Sequence, residues 1–175
     1  MSKHSDRSYE PLKKDDLKEL ANRVIEVLKE KGKPIKNIKY IVISQNTAVH
    51  YLDSKKCGLH DFDIIAFFSE LKKETTRRAI KGESKLTKFG NYCKECSGVR
   101  YKTRKMDIFC KNIEVPENNS IEDAFRKYFE DEKTNWVKII SERPCIGIYP
   151  EELCGRTLWA GCNPPLLTFS MLKLC

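Results

Sequence analysis

An α+β fold, in which strands are flanked by helices, is what this 175-residue sequence predicts. Two observations carry the expectation. Stretches with the 3.6-residue apolar period of a helix alternate along the chain with short β-branched or apolar runs. Two of those runs, 61–68 and 99–113, place carboxylates within otherwise apolar strand patterns. The length fits a single domain, 1–175, with a core of about residues 12–130 and a C-terminal extension over 131–175.

The elements follow in order. Residues 12–31 (LKKDDLKELANRVIEVLKEK) form an amphipathic helix with Leu17, Leu20, Val24, Val27 and Leu28 as its apolar stripe, ended by Gly32 and Pro34. Residues 38–44 (IKYIVIS) are short and β-branched, hence a strand. Residues 46–54 (NTAVHYLDS) suit a short helix capped by Asn46 or Thr47, with His50 packed inside it. The run 61–68 (DFDIIAFF) is apolar enough for a buried sheet position. Residues 69–80 read as a helix capped by Ser69, and 82–98, rich in Gly, Ser and Lys, as a loop or hairpin. In the strand expected over 99–113, Met106, Ile108 and Cys110 share one face, and Lys105, Asp107 and Phe109 the other. A capped helix with apolar positions Ile121, Ala124, Phe125, Tyr128 and Phe129 follows over 120–130. The remainder holds a strand at 145–149, a short helix from Glu151 and an apolar tail ending at Cys175; there is no internal repeat.

Composition narrows the class. Apolar residues make up 40% and charged residues 33%, a globular rather than a disordered balance. Charges interrupt every hydrophobic stretch, so no membrane span or membrane partner is expected. The N-terminus (MSKHSDRSYEP) is polar and lacks the apolar region of a secretion signal, which makes the cytoplasm the default location. Between Lys72 and Lys111 stand thirteen Lys/Arg against four acids, a local +9 in a chain whose net charge is +8. That block is either a solvated surface or an attraction for polyanions such as a triphosphate or RNA.

The acids carry the chemistry. Asp61 and Asp63 are two positions apart on one strand, so alternation puts both on one face, with Phe62, Ile64, Ala66 and Phe68 on the other. Two like charges at the mouth of an apolar strand repel each other and lose solvation, and a shared divalent cation relieves both. Asp107 repeats the pattern within Met106-Asp107-Ile108-Phe109. On adjoining strands the three would converge as metal ligands for Mg²⁺ or Mn²⁺, with Asp107 as general base toward a hydroxyl. The structural alternative is a turn cap at Asp61, with Asp63 and Asp107 paired to Lys or Arg.

The segment Gln45-Asn46-Thr47-Ala48-Val49-His50, followed by His60-Asp61-Phe62-Asp63-Ile64-Ile65, resembles the polymerase-β-type nucleotidyltransferase superfamily. Within it, the sequence is most similar to the abortive-infection toxin-like nucleotidyltransferase group. Those proteins carry a Gly-Gly-Thr-Ala-Leu-like helix start, a short gap, then Ser-x-Asp-x-Asp on a strand; here Thr47 precedes Asp61 by fourteen residues. Arg104-Lys105-Met106-Asp107-Ile108 is similar to the strand bearing that family's third carboxylate. The resemblance covers roughly 38–113. It implies a nucleotidyltransferase-like fold, a mixed, partly antiparallel sheet with flanking helices. It also implies an NTP substrate, with Asn46 and Thr47 at the triphosphate and Asp61, Asp63 and Asp107 as the metal-binding catalytic acids. The acceptor would be a hydroxyl, RNA being one candidate, and a catalytically silent relative would instead bind RNA or a protein partner. Gln45-Asn46 stands where the family has its glycine pair, and His60 where it has Ser or Thr.

Two further patterns invite other readings. Tyr92-Cys93-Lys94-Glu95-Cys96-Ser97-Gly98 resembles a zinc knuckle, with Cys93 and Cys96 as structural Zn ligands; such a site needs two more, which Cys110 or Cys57 could supply, and the alternative is an ordinary loop with reduced thiols. Asp63 with Glu70-Leu71-Lys72 mimics a metal-nuclease core, but Glu70 follows Asp63 along the same strand, without the hairpin that chemistry uses.

Overall fold

The structure, a computed structural model, describes residues 11–54, 59, 61–75, 78–86, 103–115, 117–131 and 134–162. It is α+β. Helix α1 (Lys14–Glu30) leads into a single 3-10 turn at Ile35–Asn37 and strand β1 (Ile38–Ile43), followed by α2 (Gln45–Leu52) and β2 (Phe62–Phe68). Strands β3 (Ile80–Ser84) and β4 (Arg104–Asn112) come next, then helices α3 (Ile121–Asp131) and α4 (Asn135–Ser141). Strand β5 (Cys145–Tyr149), a 3-10 turn at Glu151–Leu153 and β6 (Thr157–Trp159) complete the described chain. The six strands form one mixed sheet in the order β3-β4-β2-β1-β5-β6. Only the β2–β4 pairing is parallel; β1–β2, β1–β5, β3–β4 and β5–β6 are antiparallel.

Helices cover both faces. On one, Leu17, Leu20, Val24 and Leu28 of α1 and Ala48 of α2 pack against Ile41, Ile43, Phe62, Ile64, Ala66, Met106 and Ile108. On the other, α3 and α4 bring Phe125, Phe129, Val137 and Ile140 onto Val42, Ile65, Phe67 and Cys145. Central strand β2 is therefore buried on both faces, as its near-continuous apolar run requires. Phe67 is gripped edge-on by Phe125 and Tyr128 at centroid distances of 5.1 and 5.0 Å. Residues beyond 131, set apart by the sequence as an extension, supply β5, which pairs with β1 inside the sheet.

Several expectations need correction. Residues 69–75 and 78–79, expected as helix, are not helical, and the chain enters β3 at Ile80. Tertiary hydrogen bonds take the backbone that a helix would have used. Thr75 N–H donates to the Cys110 carbonyl at 3.1 Å and the Thr75 hydroxyl accepts from Cys110 N–H. Glu74 accepts from Asn112 N–H at 2.7 Å, and Asn112 Nδ2 donates to the Leu71 carbonyl at 3.1 Å. The segment is stitched along β4 and lacks the apolar stripe that would have rewarded coiling. Helix α2 starts one residue earlier than expected, with Ser44 at its N-cap. Helix α4, capped by Thr134 onto Val137 N–H, and strand β6 were not anticipated. Seven and three residues are too short for periodicity to reveal.

Candidate functional site

Strands β2 and β4 run side by side in parallel, and their register sets Asp63 directly against Asp107. Adjacent strands lie about 4.8 Å apart, so two carboxylates at paired positions on one face are immediate neighbours. Both stand on the α3–α4 face, since alternation from the buried Ile65 and Phe67 puts Asp63 there. Asp61 lies just before β2 begins.

Helix α2 ties down this corner. The Thr47 hydroxyl accepts from Asp63 N–H at 2.8 Å and donates to the Asp61 carbonyl at 3.4 Å, so one side chain fixes the backbone of both acids. Ser44 N–H donates to the Asp63 carbonyl at 2.9 Å, anchoring the chain entering α2. Asn46 donates its backbone N–H to the Asp63 carboxylate. Gln45 supports this bend with φ +47°, in the left-handed region that favours glycine. Asn46 and Thr47 thus lie at the acids, inside the first helical turn rather than at its cap.

Electrostatics give the cluster its character. Burial first, then the charges of Asp61 and Asp107, push the Asp63 carboxyl up to about 7, against the opposing pull of Arg143 and the Asn46 N–H. A carboxyl held so high keeps its proton below about pH 7 unless positive charge stands beside it. Two side chains of this protein supply part of that charge. Lys81, paired with Asp107 in the β3–β4 register, places Nζ 2.5 Å from Asp107 Oδ2. Its side chain is 70% exposed against 21% for Asp107, so the lysine end of the pair is free to move into water. Arg143, just beyond α4, donates to Asn46 Oδ1 and acts electrostatically on Asp63.

Sequence reasoning singled out neither cation. Lys81 sat in a segment read as helix end and loop, and Arg143 reaches the site only because β5 pairs with β1. The basic block also proves heterogeneous. Arg104 is buried and donates to the Leu59 carbonyl, and Lys111 is buried with Nζ 4.2 Å from the Trp136 ring centroid. Those two serve the fold, whereas Lys81 faces the acids.

Among the described residues, no three or more His, Cys, Asp or Glu side chains form a group that could hold a metal ion. Asp63 and Asp107 are adjacent and Asp61 acts on Asp63, but Lys81 engages Asp107. Cys93, Cys96 and Cys57 lie outside the described residues. Cys110 is buried, and that burial pushes its thiol up to about 11, the opposite of what a thiolate ligand needs. His50 is fully buried in α2. Two surface hollows, one lined by Lys33, Lys72 and Lys73 among others and one by Lys39, Tyr40 and Ser69, lie at the opposite end of β1 and β2 from the acids. Among the described residues, no helix is long and apolar enough to cross a membrane. No protein-family model, curated protein or solved structure matches the chain.

Proposed function

We propose that this chain is a metal-dependent nucleotidyltransferase that moves an NMP from an NTP to a hydroxyl acceptor, with RNA as the acceptor class. The observation that carries the reading is the side-by-side register of Asp63 and Asp107, with Asp63 held near 7 by burial and by its acidic neighbours. Helix α2 leading into β2, and β2 lying parallel to β4, support the nucleotidyltransferase-like reading of the sheet. The donor set is all carboxylate, which suits a hard divalent cation such as Mg²⁺ or Mn²⁺. As they stand, the three acids do not form a group ready for a metal, and Lys81 engages Asp107. With that lysine displaced, Asp61, Asp63 and Asp107 would hold the ion, which when bound supplies positive charge to the reacting phosphate oxygens.

The remaining steps belong to the chain. Asp107, at the outer strand of the pair, takes the proton of the acceptor hydroxyl. That oxygen bonds to the α-phosphorus, the bond to the α–β bridging oxygen breaks, and pyrophosphate leaves with that electron pair. The N-terminus of α2, with Asn46 and Thr47, and the guanidinium of Arg143 lie on the Asp63 side, where they would meet the triphosphate.

One observation favours a second reading, a catalytically silent domain of the same fold that binds RNA or a protein. Lys81 already neutralises Asp107, as a built-in cation replacing a metal would. Incubation with labelled NTPs, Mg²⁺ or Mn²⁺ and total RNA separates the two. Metal-dependent transfer that disappears in Asp61→Ala and Asp63→Ala supports the enzyme. Absence of transfer together with absence of metal binding refutes it.

A further inference from the structure

The row of side chains that β4 turns toward the acids continues past Asp107. Alternation gives Lys105, Asp107, Phe109 and Lys111 on that face, with Lys105 exposed, Asp107 and Phe109 half-buried and Lys111 buried. Phe109 is unusual among the described aromatic residues of the sheet, because it joins neither of the two cores. Its ring meets Trp136 of α4 at a centroid distance of 5.3 Å and an interplanar angle of 50°. Trp136 is itself held in place by the second core and by Lys111, whose Nζ stands 4.2 Å from its ring centroid. The result is a braced, partly open aromatic surface two residues from Asp107. Strand geometry puts it roughly 7 Å from that carboxylate, about the span from a ribose hydroxyl to the far side of its own base.

We propose that Phe109, backed by Trp136, is a stacking shelf for the terminal base of the RNA strand whose hydroxyl is presented to Asp107. The inference rests on the nucleotidyltransferase reading above and adds to it a subsite for the acceptor. Position decides which reactant uses the shelf. The features suited to phosphate, the α2 N-terminus and Arg143, gather at Asp63 on β2, whereas Phe109 flanks Asp107 on β4. Charge is balanced there. Exposed Lys81 and Lys105 stand on the same face beside the shelf, each opposite an acid in the β3–β4 register (Asp107 and Glu83), so backbone phosphates would compete with those carboxylates for the two ammonium groups. Stacking on one aromatic ring is tolerant of base identity, because every base has a π-face, so the shelf would select an RNA end without selecting its sequence.

The test uses the full chain with Mg²⁺ and a short single-stranded RNA, compared with the same RNA whose terminal nucleotide lacks its base. The intact RNA is expected to bind wild type about tenfold more tightly than the abasic-ended one. Phe109→Leu should remove that difference while leaving ATP and tripolyphosphate affinity unchanged, and Phe109→Tyr should preserve it. Thermal melting of each variant shows that it is folded, and Phe109→Tyr keeps the test decisive if the leucine variant is not. Equal binding of intact and abasic-ended RNA by wild type overturns the shelf. So does a Phe109→Leu variant that loses ATP affinity instead of RNA affinity, which would assign the ring to the incoming nucleotide. Both results leave NTP transfer standing, so they are distinct from failure of the nucleotidyltransferase reading. That failure would be the absence of metal-dependent NTP binding in wild type, and it would take the shelf with it.

Discussion

Replacing Asp63 by asparagine should stabilise the protein at neutral pH, although it deletes a charge from the middle of the candidate site. The folded-state carboxyl stands at about 7 against an ordinary value of 3.8, raised chiefly by burial and then by Asp61 and Asp107. Between those two values the folded chain binds a proton that the unfolded chain has released, so stability falls as pH rises through the window and levels off above about 7. About three pH units at about 1.4 kcal/mol each sets a ceiling of about 4 kcal/mol lost by pH 7.5. The substituted asparagine carries no charge to bury, and its amide oxygen still accepts the Asn46 N–H. The Asp63→Asn variant should therefore match wild type near pH 4 and exceed it by up to about 4 kcal/mol at pH 7.5, a rise in Tm on the order of 10 °C. Urea unfolding at half-unit steps from pH 4 to 8 reads the difference directly, with titrating groups remote from Asp63 cancelling between the two proteins. Millimolar Mg²⁺ should narrow the gap by stabilising wild type alone. A difference that does not change with pH, or that grows toward acid, would refute the account of Asp63 as a destabilised carboxylate.

Four other outcomes follow from the same geometry. Lys81→Gln should change metal-free stability by less than about 1 kcal/mol, the lysine being mostly exposed, yet tighten Mn²⁺ binding about fivefold by removing a competing cation; urea unfolding reads the first and titration calorimetry the second. Gln45→Gly should stabilise the chain by up to about 1 kcal/mol in urea, because the left-handed backbone at +47° is one glycine adopts without strain; a loss would show that the Gln45 side chain has a role of its own. Phe67→Ala should cost about 3–5 kcal/mol, since it removes a ring packed edge-on by both Phe125 and Tyr128. Under native alkylation with mass-spectrometric readout, exposed Cys162 should be modified while Cys110 and Cys145, whose thiols burial pushes up, stay protected until denaturant is added.

How far the sequence revealed this arrangement depended on whether local pattern or distant pairing determined each part. Leu17, Leu20, Val24 and Leu28 repeat at helical spacing over a full-length helix, so α1 could be read directly. Phe62, Ile64, Ala66 and Phe68 fell on one face of β2 as alternation required, and the same rule separated Met106, Ile108 and Cys110 from Asp107 on β4. The segment at 69–80 could not be read that way. Its Glu and Lys residues favour a helix locally, and only the presence of β4 alongside, offering Cys110 and Asn112 as partners, makes the extended path better. Lys81 and Arg143 were hidden for the same reason: they become site residues through the β3–β4 and β1–β5 pairings, which no local pattern encodes. Phe109 was placed on the correct face of its strand, but its half-exposed position beside Trp136 depended on α4, too short to be anticipated.

The charge count at this end of the sheet makes a last prediction that separates an enzyme from a passive basic surface. Three carboxylates, Asp61, Asp63 and Asp107, face two cations, Lys81 and Arg143, leaving one net negative charge when all are ionised. Such a corner repels a triphosphate or an RNA end. A single divalent ion reverses its sign to one net positive charge and, by drawing Asp107 away from Lys81, frees an ammonium group to face phosphate as well. Polyanion binding at the acids should therefore depend on Mg²⁺ or Mn²⁺ and should weaken on chelation, even though chelation leaves the chain's overall positive charge unchanged. Filter binding of RNA with and without EDTA at constant ionic strength measures this. RNA affinity that ignores the metal would have to arise elsewhere, and the hollow at the opposite end, with Lys33, Lys72 and Lys73 at its rim, is where substitution by glutamine should then abolish it.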